Sequence, residues 1–345
     1  MFIPSTPMCA SIAVLALMLV QWEQFHLVNK MHKTISGALA ALFLCATLSA
    51  ANPDIKPNIS LKLYPEGQNV DKGIVENGVA VTLGPCESNG LEGAEVLEGD
   101  GNLGNISDPH IDIYLPKKGN GQMLVCCPGG GYKYCSSYNE GTRVAAWCLK
   151  NGIACCVVLY RMPNHHCRVP LTDVQNAMRY CRAHQAEWGI KQLGIIGFSA
   201  GGHLAASAST LWVDAATRPD FSVLVYPVIT LEADVTHKGT RSNLTDNKID
   251  LVNYYSLENQ VNASTPETLL LLCQDDKVVP PENSIRYYSR MITCKVPGEL
   301  HILTDGGHGW GFTTPEYGHD KLSPGQREDF FRILSRWLED RRKEM

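Results

Sequence analysis

The stretch GIIGFSAGGH, residues 194–203, sets a short apolar run against a serine held between small residues. Gly197-Phe198-Ser199-Ala200-Gly201 fits the pattern Gly-x-Ser-x-Gly, which taken alone also describes an ordinary glycine loop. The flanking chain separates the two readings. LGIIG (193–197) reads as a strand and AGGHLAASASTLW (200–212), rich in small residues, as a helix, so the serine falls on the strand-turn-helix arrangement that an exposed nucleophile requires. Small residues at 197 and 201 let such a turn close, leaving the Ser199 hydroxyl open at a helix N-terminus.

Outward from that turn the chain alternates strand and helix patterns. HIDIYLP (110–116) has the period-two alternation of a half-buried strand, while GQMLVCCPGG (121–130) and IACCVVLYR (153–161) are continuous apolar runs. Between these two runs NEGTRVAAWCLKNG (139–152) spaces Val144, Trp147 and Cys148 as a helix and ends in an Asn-Gly stop. A helix (171–189) precedes the 193–197 strand, and the strand FSVLVYP (221–227) follows the small-residue helix. The strand TLLLLCQ (268–274), the helix ENSIRYYSRMI (282–292), the strand GELHILT (298–304) and an amphipathic helix from Pro324 to Arg342 complete the series. The order predicts an α/β fold with a mostly parallel central sheet and helices on both faces. No internal repeat or low-complexity linker divides residues 51–345, which are expected to form a single domain. Residues 229–265 are polar and interrupt the rhythm, as an insertion near the carboxyl edge of the sheet would.

The 345 residues, 44% hydrophobic and 19% charged, describe a folded globular chain. A net charge of -5, with no basic tract outside RRKE (341–344), leaves nothing to neutralise a phosphate backbone, and nucleic acid is not an expected partner. Two apolar runs open the sequence, 9–20 and 31–52, and neither offers the roughly 18 to 20 consecutive apolar residues of a spanning helix. From Met31 the second has a basic start (His32, Lys33), an apolar middle and a small-x-small end at Leu48-Ser49-Ala50, the layout of a signal peptide. Residues 1–50 are therefore expected to be a leader with Met31 as the true start. The mature protein is expected to be periplasmic or secreted and without an integral membrane span. Lipid attachment at Cys45 is disfavoured by the bulky Leu42-Phe43-Leu44 before it. Of 13 cysteines, Cys9 and Cys45 belong to the leader, and an odd number remains. Adjacent pairs on strands point to opposite faces and cannot bond each other, and no Cys-x-x-Cys occurs, so neither a disulfide framework nor a metal site is expected.

A serine hydroxyl is a weak nucleophile at neutral pH and needs a base. Of 11 histidines, His308 sits in the glycine-rich TDGGHGWGF (304–312), which leaves its imidazole free to approach another loop. His203, in the helix after Ser199, reads as structural, and His165 and His166 fall in a polar loop. The base in turn needs a carboxylate to fix its tautomer. LLLLCQDDKVVPPENS (269–284) provides Asp275 and Asp276 at the end of a buried strand. Asp275, the first after the strand, is the preferred partner, although spacing does not decide between them. The order Ser199, Asp275, His308 is that of α/β-hydrolases. CPGGGYKY (127–134) is close to the His-Gly-Gly-Gly oxyanion loop with proline in place of histidine, and by that analogy the donors are the amides of Gly130, Gly131 and Ala200. Tyr132 and Trp310 flank these loops and are candidate sugar-stacking contacts, although packing is the commoner role of such rings.

Taken together, LYPEG (63–67), ISDPHIDIYLP (106–116), CPGGGY (127–132), VVLYRMP (157–163), the helix 170–190, IGFSAGGHLAAS (196–207), HKGTRSNL (237–244), DDKVVPPENS (275–284) and GGHGWGF (306–312) carry a resemblance. The chain resembles α/β-hydrolase esterases of the acetyl-esterase/lipase type, specifically the bacterial xylan-active carbohydrate esterases, over roughly residues 61–337. The resemblance implies a triad on Ser199, Asp275 and His308, no metal or organic cofactor, and an acetylated polysaccharide or oligosaccharide as substrate. It also implies removal of acetyl groups from xylan, with feruloyl or pectin esters as alternatives within the same fold. The cysteine-rich strands and the residues before Met31 depart from the family pattern without touching these motifs. A prolyl-oligopeptidase-like peptidase shares the triad order but usually carries a large N-terminal domain. A non-catalytic carbohydrate-binding protein on this fold would be expected to have lost a triad member.

Overall fold

The computed structural model describes residues 55–64, 74–76, 79–81, 83–84, 87–312 and 321–343. Contacts divide the chain into two units, Met1–Asn52 and Pro53–Met345, and the described residues all belong to the second. The leader, Met31 and Cys45 lie outside them.

Eight strands form the central sheet: β1 (Ile59–Lys62), β2 (His110–Tyr114), β3 (Gln122–Cys127), β4 (Ala154–Leu159), β5 (Gln192–Phe198), β6 (Phe221–Val225), β7 (Glu267–Cys273) and β8 (Gly298–Leu303). They are ordered β1-β2-β4-β3-β5-β6-β7-β8. β2 runs antiparallel to both its neighbours, β1 and β4; β4, β3 and β5 to β8 are mutually parallel. Every residue of β3 and β4 is buried, as a parallel strand covered on both faces demands, which is why these strands read as unbroken apolar runs. Cys126, Cys127, Cys155 and Cys156 are fully buried there and act as small hydrophobes. All ten cysteines among the described residues are free.

Two glycines of β5 show how the layers meet. A Cβ at Gly197 would lie 2.2 Å from the Gly201 carbonyl oxygen and 2.6 Å from the Ala205 methyl, so this face of the strand receives helix α3 (Ser199–Thr210) at backbone distance. Three residues earlier, and hence on the opposite face, a Cβ at Gly194 would collide with the Phe221 ring, which packs edge-on against Trp337 of helix α7 (Pro324–Arg342). Helices α1 (Arg143–Lys150) and α7 share that second face, where Trp147 stacks on Phe331. Helix α2 (Val169–His184) packs against α3 on the first. The predicted α/β/α layering is present.

The chain starts α1 later than its periodicity predicts. Tyr138–Thr142 form a wide π turn because Glu140 turns inward and Gly141 lies against Val157, where a Cβ would be 3.0 Å from a methyl. Residues 229–265 contain helix α4 (Lys238–Thr245), helix α5 (Ile249–Tyr254) and a short 3-10 turn, Leu257–Asn259. Helix α6 (Glu282–Thr293) follows β7. Beneath the sheet's amino edge, Gln122 and Gln192 donate side-chain N–H groups to the carbonyls of Leu338 (2.9 Å) and Arg341 (3.0 Å), fixing the end of α7. The buried Arg161 guanidinium, just beyond β4, is clamped on Asp173 of α2. The strands β3, β5, β6 and β7 finish nearly level, with Cys127 beside Gly197, Phe198 beside Val225, and Val225 beside Leu271. Loops from four strands consequently meet at one edge, where open α/β sheets bind ligands.

Candidate active site

Ser199 stands at the junction of β5 and α3 with φ of +53°, left-handed backbone that an L-residue occupies at a cost of about 1–2 kcal/mol. The turn holds because its neighbours are too small to obstruct it: a Cβ at Gly201 would lie 2.1 Å from the Cys127 carbonyl oxygen. Ser199 is nearly buried, 8% exposed.

His308 reaches the serine from the loop after β8, its Nε2 lying 2.8 Å from Ser199 Oγ. Its Nδ1 lies 2.6 Å from Asp276 Oδ2. The other oxygen of that carboxylate accepts the N–H groups of Val278 and Val279, both at 2.9 Å, and the side chain is fully enclosed. With its acceptor sites committed on one side, the carboxylate presents a fixed lone pair to Nδ1, which sets the proton there and leaves the Nε2 lone pair for the serine hydroxyl. The preference for Asp275 is therefore corrected. Asp275, one residue earlier in the turn, instead accepts the Gly307 N–H at 2.8 Å, holding the shoulder of the histidine loop.

After β3 the chain turns through Gly130 (φ +126°) and Gly131 (φ +64°). A Cβ at Gly129 would stand 3.0 Å from that of Ser199, so the loop runs directly beside this serine. Among the described residues the amides of Gly130, Gly131 and Ala200 have no hydrogen-bond acceptor, whereas that of Gly129 donates to Glu140 at 2.7 Å. Three N–H groups, two in the loop after β3 and one directly after Ser199, are thus uncommitted, as donors to a developing oxyanion must be.

The aromatic candidates turn inward. Tyr132 is 2% exposed and donates its hydroxyl to His203 Nδ1 (3.0 Å), while His203 Nε2 donates to the Tyr255 carbonyl (2.8 Å). Burial holds the His203 pKa down to about 4 and keeps the ring neutral. Trp310 is fully buried between Tyr226 and Phe330. Neither ring is placed to stack on a sugar. Glycine loops carry few side chains to fix themselves, and these two anchor them from below.

Sequence reasoning missed Glu140 and Tyr226. Glu140 is 4% exposed, accepts from Gly129 N–H and from Tyr226 O–H (2.7 Å), and burial raises its carboxyl pKa. The Tyr226 oxygen accepts the Gly311 N–H at 2.8 Å, and its ring lies 4.8 Å from that of His308. One buried carboxylate thereby ties the glycine loop after β3 to the histidine loop. The available signal was that Glu140 is the lone acid between Gln122 and Leu159.

Comparisons with known proteins bear on the family of the chain. The family described as BD-FAE matches residues 111–227. A crystal structure of an acetyl ester-xyloside bifunctional hydrolase from Caldicellulosiruptor lactoaceticus is 32% identical, with a TM-score of 0.60, covering 68% of this chain and 88% of that one. The chain belongs to the α/β-hydrolase esterases of the acetyl-esterase/lipase type. Within this esterase family it is similar to an acetylxylan esterase from Xylanibacter ruminicola, 35% identical over 250 residues that cover 67% of this chain and 52% of that protein. It is also similar to endo-1,4-beta-xylanase B of Butyrivibrio fibrisolvens, 33% identical over 217 residues, 56% of this chain and 33% of that protein. The chain spans about half the length, or less, of these curated relatives. Among the described residues of this family member, no group of three or more His, Cys, Asp or Glu side chains is arranged to hold a metal, and no helix is long and apolar enough to cross a membrane.

Proposed function

We propose that the protein is an exported serine esterase that removes acetyl groups from xylan or its oligosaccharides. The observation that carries this reading is the hydrogen-bonded line from Ser199 Oγ through His308 to Asp276, set beside three free amides. Ser199 Oγ bonds to the acetyl carbon as its proton passes to His308 Nε2, and the carbonyl oxygen, now negative, takes N–H groups from Gly130, Gly131 and Ala200. Collapse breaks the bond to the sugar oxygen, which leaves with the proton from His308. A water then gives its proton to His308 and attacks the acetyl-serine. Acetate departs and the proton returns to Ser199 Oγ. Asp276 stays ionised and steadies the imidazolium in both halves of the cycle.

The acetyl and xylan parts of the reading rest on the acetylxylan esterase and the bifunctional hydrolase named above. Export rests on the signal-peptide layout of residues 31–50, with residues 51–345 as the mature domain. Labelling with a fluorophosphonate tests the nucleophile: the wild type takes up one label and Ser199→Ala none, and an unlabelled wild type would sink the esterase reading. Release assays on acetylated xylan, feruloylated arabinoxylan and acetylated pectin test the substrate. Acetate from xylan is expected to dominate, and ferulate release or pectin deacetylation in excess of it would reassign the enzyme. Mass spectrometry of exported protein is expected to find an N-terminus near Ala51.

A further inference from the structure

His237 stands beside the oxyanion-side loop and takes no part in the chemistry described above. It precedes α4, and its Nδ1 accepts the Thr240 N–H at 3.2 Å, with Thr240 Oγ1 at 2.8 Å. A backbone amide can only donate, so Nδ1 holds a lone pair and the proton of the neutral ring is on Nε2. Burial, together with the nearby His308, disfavours a second proton; Asp276 acts weakly in the other direction. The ring is wedged between two glycines, its Cε1 lying 3.2 Å from where a Cβ at Gly131 would be and 3.1 Å from the same point at Gly239. Asn243, from the same helix, donates to the Gly131 carbonyl at 2.9 Å and seats α4 on the loop. Among the described residues His237 Nε2 has no hydrogen-bond partner, and it is not sealed from solvent.

We propose that His237 is a specificity-determining residue that donates its Nε2–H to an oxygen on the sugar side of the bound ester. The inference rests on the deacetylation reading and deepens it. An acetyl group ends in a methyl, which accepts nothing. The ester carbonyl oxygen is taken by the amides of Gly130, Gly131 and Ala200. The bridging ester oxygen is common to every acetate ester, so the acceptors that distinguish an acetylated sugar are its hydroxyl, ring and glycosidic oxygens, and a neutral N–H donor beside Gly131 selects for them. Such a contact favours carbohydrate esters over simple aryl esters, which have no hydroxyl or sugar-ring oxygen to offer there.

His237→Asn provides the test, because its amide oxygen replaces Nδ1 as acceptor for the Thr240 N–H and keeps the helix cap while removing the Nε2–H. The measurement is kcat/KM on acetylated xylobiose divided by kcat/KM on para-nitrophenyl acetate. The ratio is expected to fall about tenfold, the effect of losing one neutral hydrogen bond to substrate, with KM for the sugar ester rising. His237→Gln, whose amide nitrogen reaches the position of Nε2, is expected to restore most of the ratio, while thermal melting of His237→Asn stays with the wild type. An unchanged ratio in His237→Asn, or a loss shared equally by the two substrates, overturns the proposal. A wild type that cleaves the aryl ester but no acetylated sugar overturns it too, and in that case removes the polysaccharide reading itself.

Discussion

Replacing Asp276 by asparagine should disable the site without disturbing its shape, for a reason that lies in the turn. The Asp276 carboxylate faces two sets of partners: Val278 and Val279, which both donate N–H to Oδ1 at 2.9 Å, and His308, whose Nδ1 meets Oδ2 at 2.6 Å. An asparagine must keep its oxygen toward the two backbone donors, because turning its NH2 toward them would set donors against donors in a fully enclosed pocket. Its NH2 therefore points at His308 Nδ1. The imidazole can accept that bond only by moving its proton to Nε2, where it faces Ser199 Oγ and cannot take the serine proton. Loss of the correct tautomer with retained geometry is expected to lower kcat by about four orders of magnitude. Asp275→Ala removes only an acceptor from the Gly307 N–H on an exposed loop, worth about 0.5–1.5 kcal/mol, so its rate should stay within about tenfold of wild type. Steady-state hydrolysis of para-nitrophenyl acetate, with thermal melts to confirm folding, distinguishes the two. The tautomer reasoning fails if Asp276→Asn keeps more than a tenth of the activity, or if Asp275→Ala loses as much as Asp276→Asn.

Three further outcomes follow from the surrounding hydrogen bonds. His203 has its pKa held down to about 4 in the folded protein against an ordinary 6.5, so the unfolded chain binds that proton more readily and stability is lost as pH falls from 6.5 toward 4, by up to about 1.4 kcal/mol per pH unit; chemical denaturation at several pH values should show this slope, and His203→Gln should flatten it. Tyr226→Phe strands the Gly311 N–H and one oxygen of Glu140 in the interior, and unfolding in urea should show a loss of about 1–3 kcal/mol together with a lower kcat, while unchanged stability would dissolve the link between the two loops. Arg161→Met leaves the Asp173 carboxylate buried without its guanidinium and should cost about 3–5 kcal/mol, most of which Asp173→Leu in the same chain should recover.

The layering was legible in the sequence because strands buried on both faces must be apolar throughout, as β3 and β4 are, and because Gly197 and Gly201 are required wherever a helix meets a strand at backbone distance. The serine and histidine were legible from their glycines: those beside Ser199 are demanded by the close strand-to-helix turn, and Gly306, Gly307 and Gly309 around His308 take positive φ. Loop conformation was not. Glycine leaves φ unspecified, so a run such as PGGGY states that a loop bends without stating where it points. What fixes its direction is a small set of buried polar hooks drawn from distant parts of the chain. Glu140 holds Gly129 and, through Tyr226, Gly311; Tyr132 is tied through His203 to Tyr255; Asn243 holds Gly131. Apart from the Glu140 bond to Gly129, each hook joins segments more than fifty residues apart, so no local pattern can encode it. The adjacent aspartates show the same limit at its smallest scale. Both lie in the turn after β7, and the choice between them was made by Asp276 closing its own turn onto Val278 and Val279, which buries one carboxylate under His308 and leaves its neighbour exposed. A carboxylate committed to backbone amides cannot rotate away from its histidine, so the same turn that hid the assignment from the sequence is what holds the imidazole in register with Ser199.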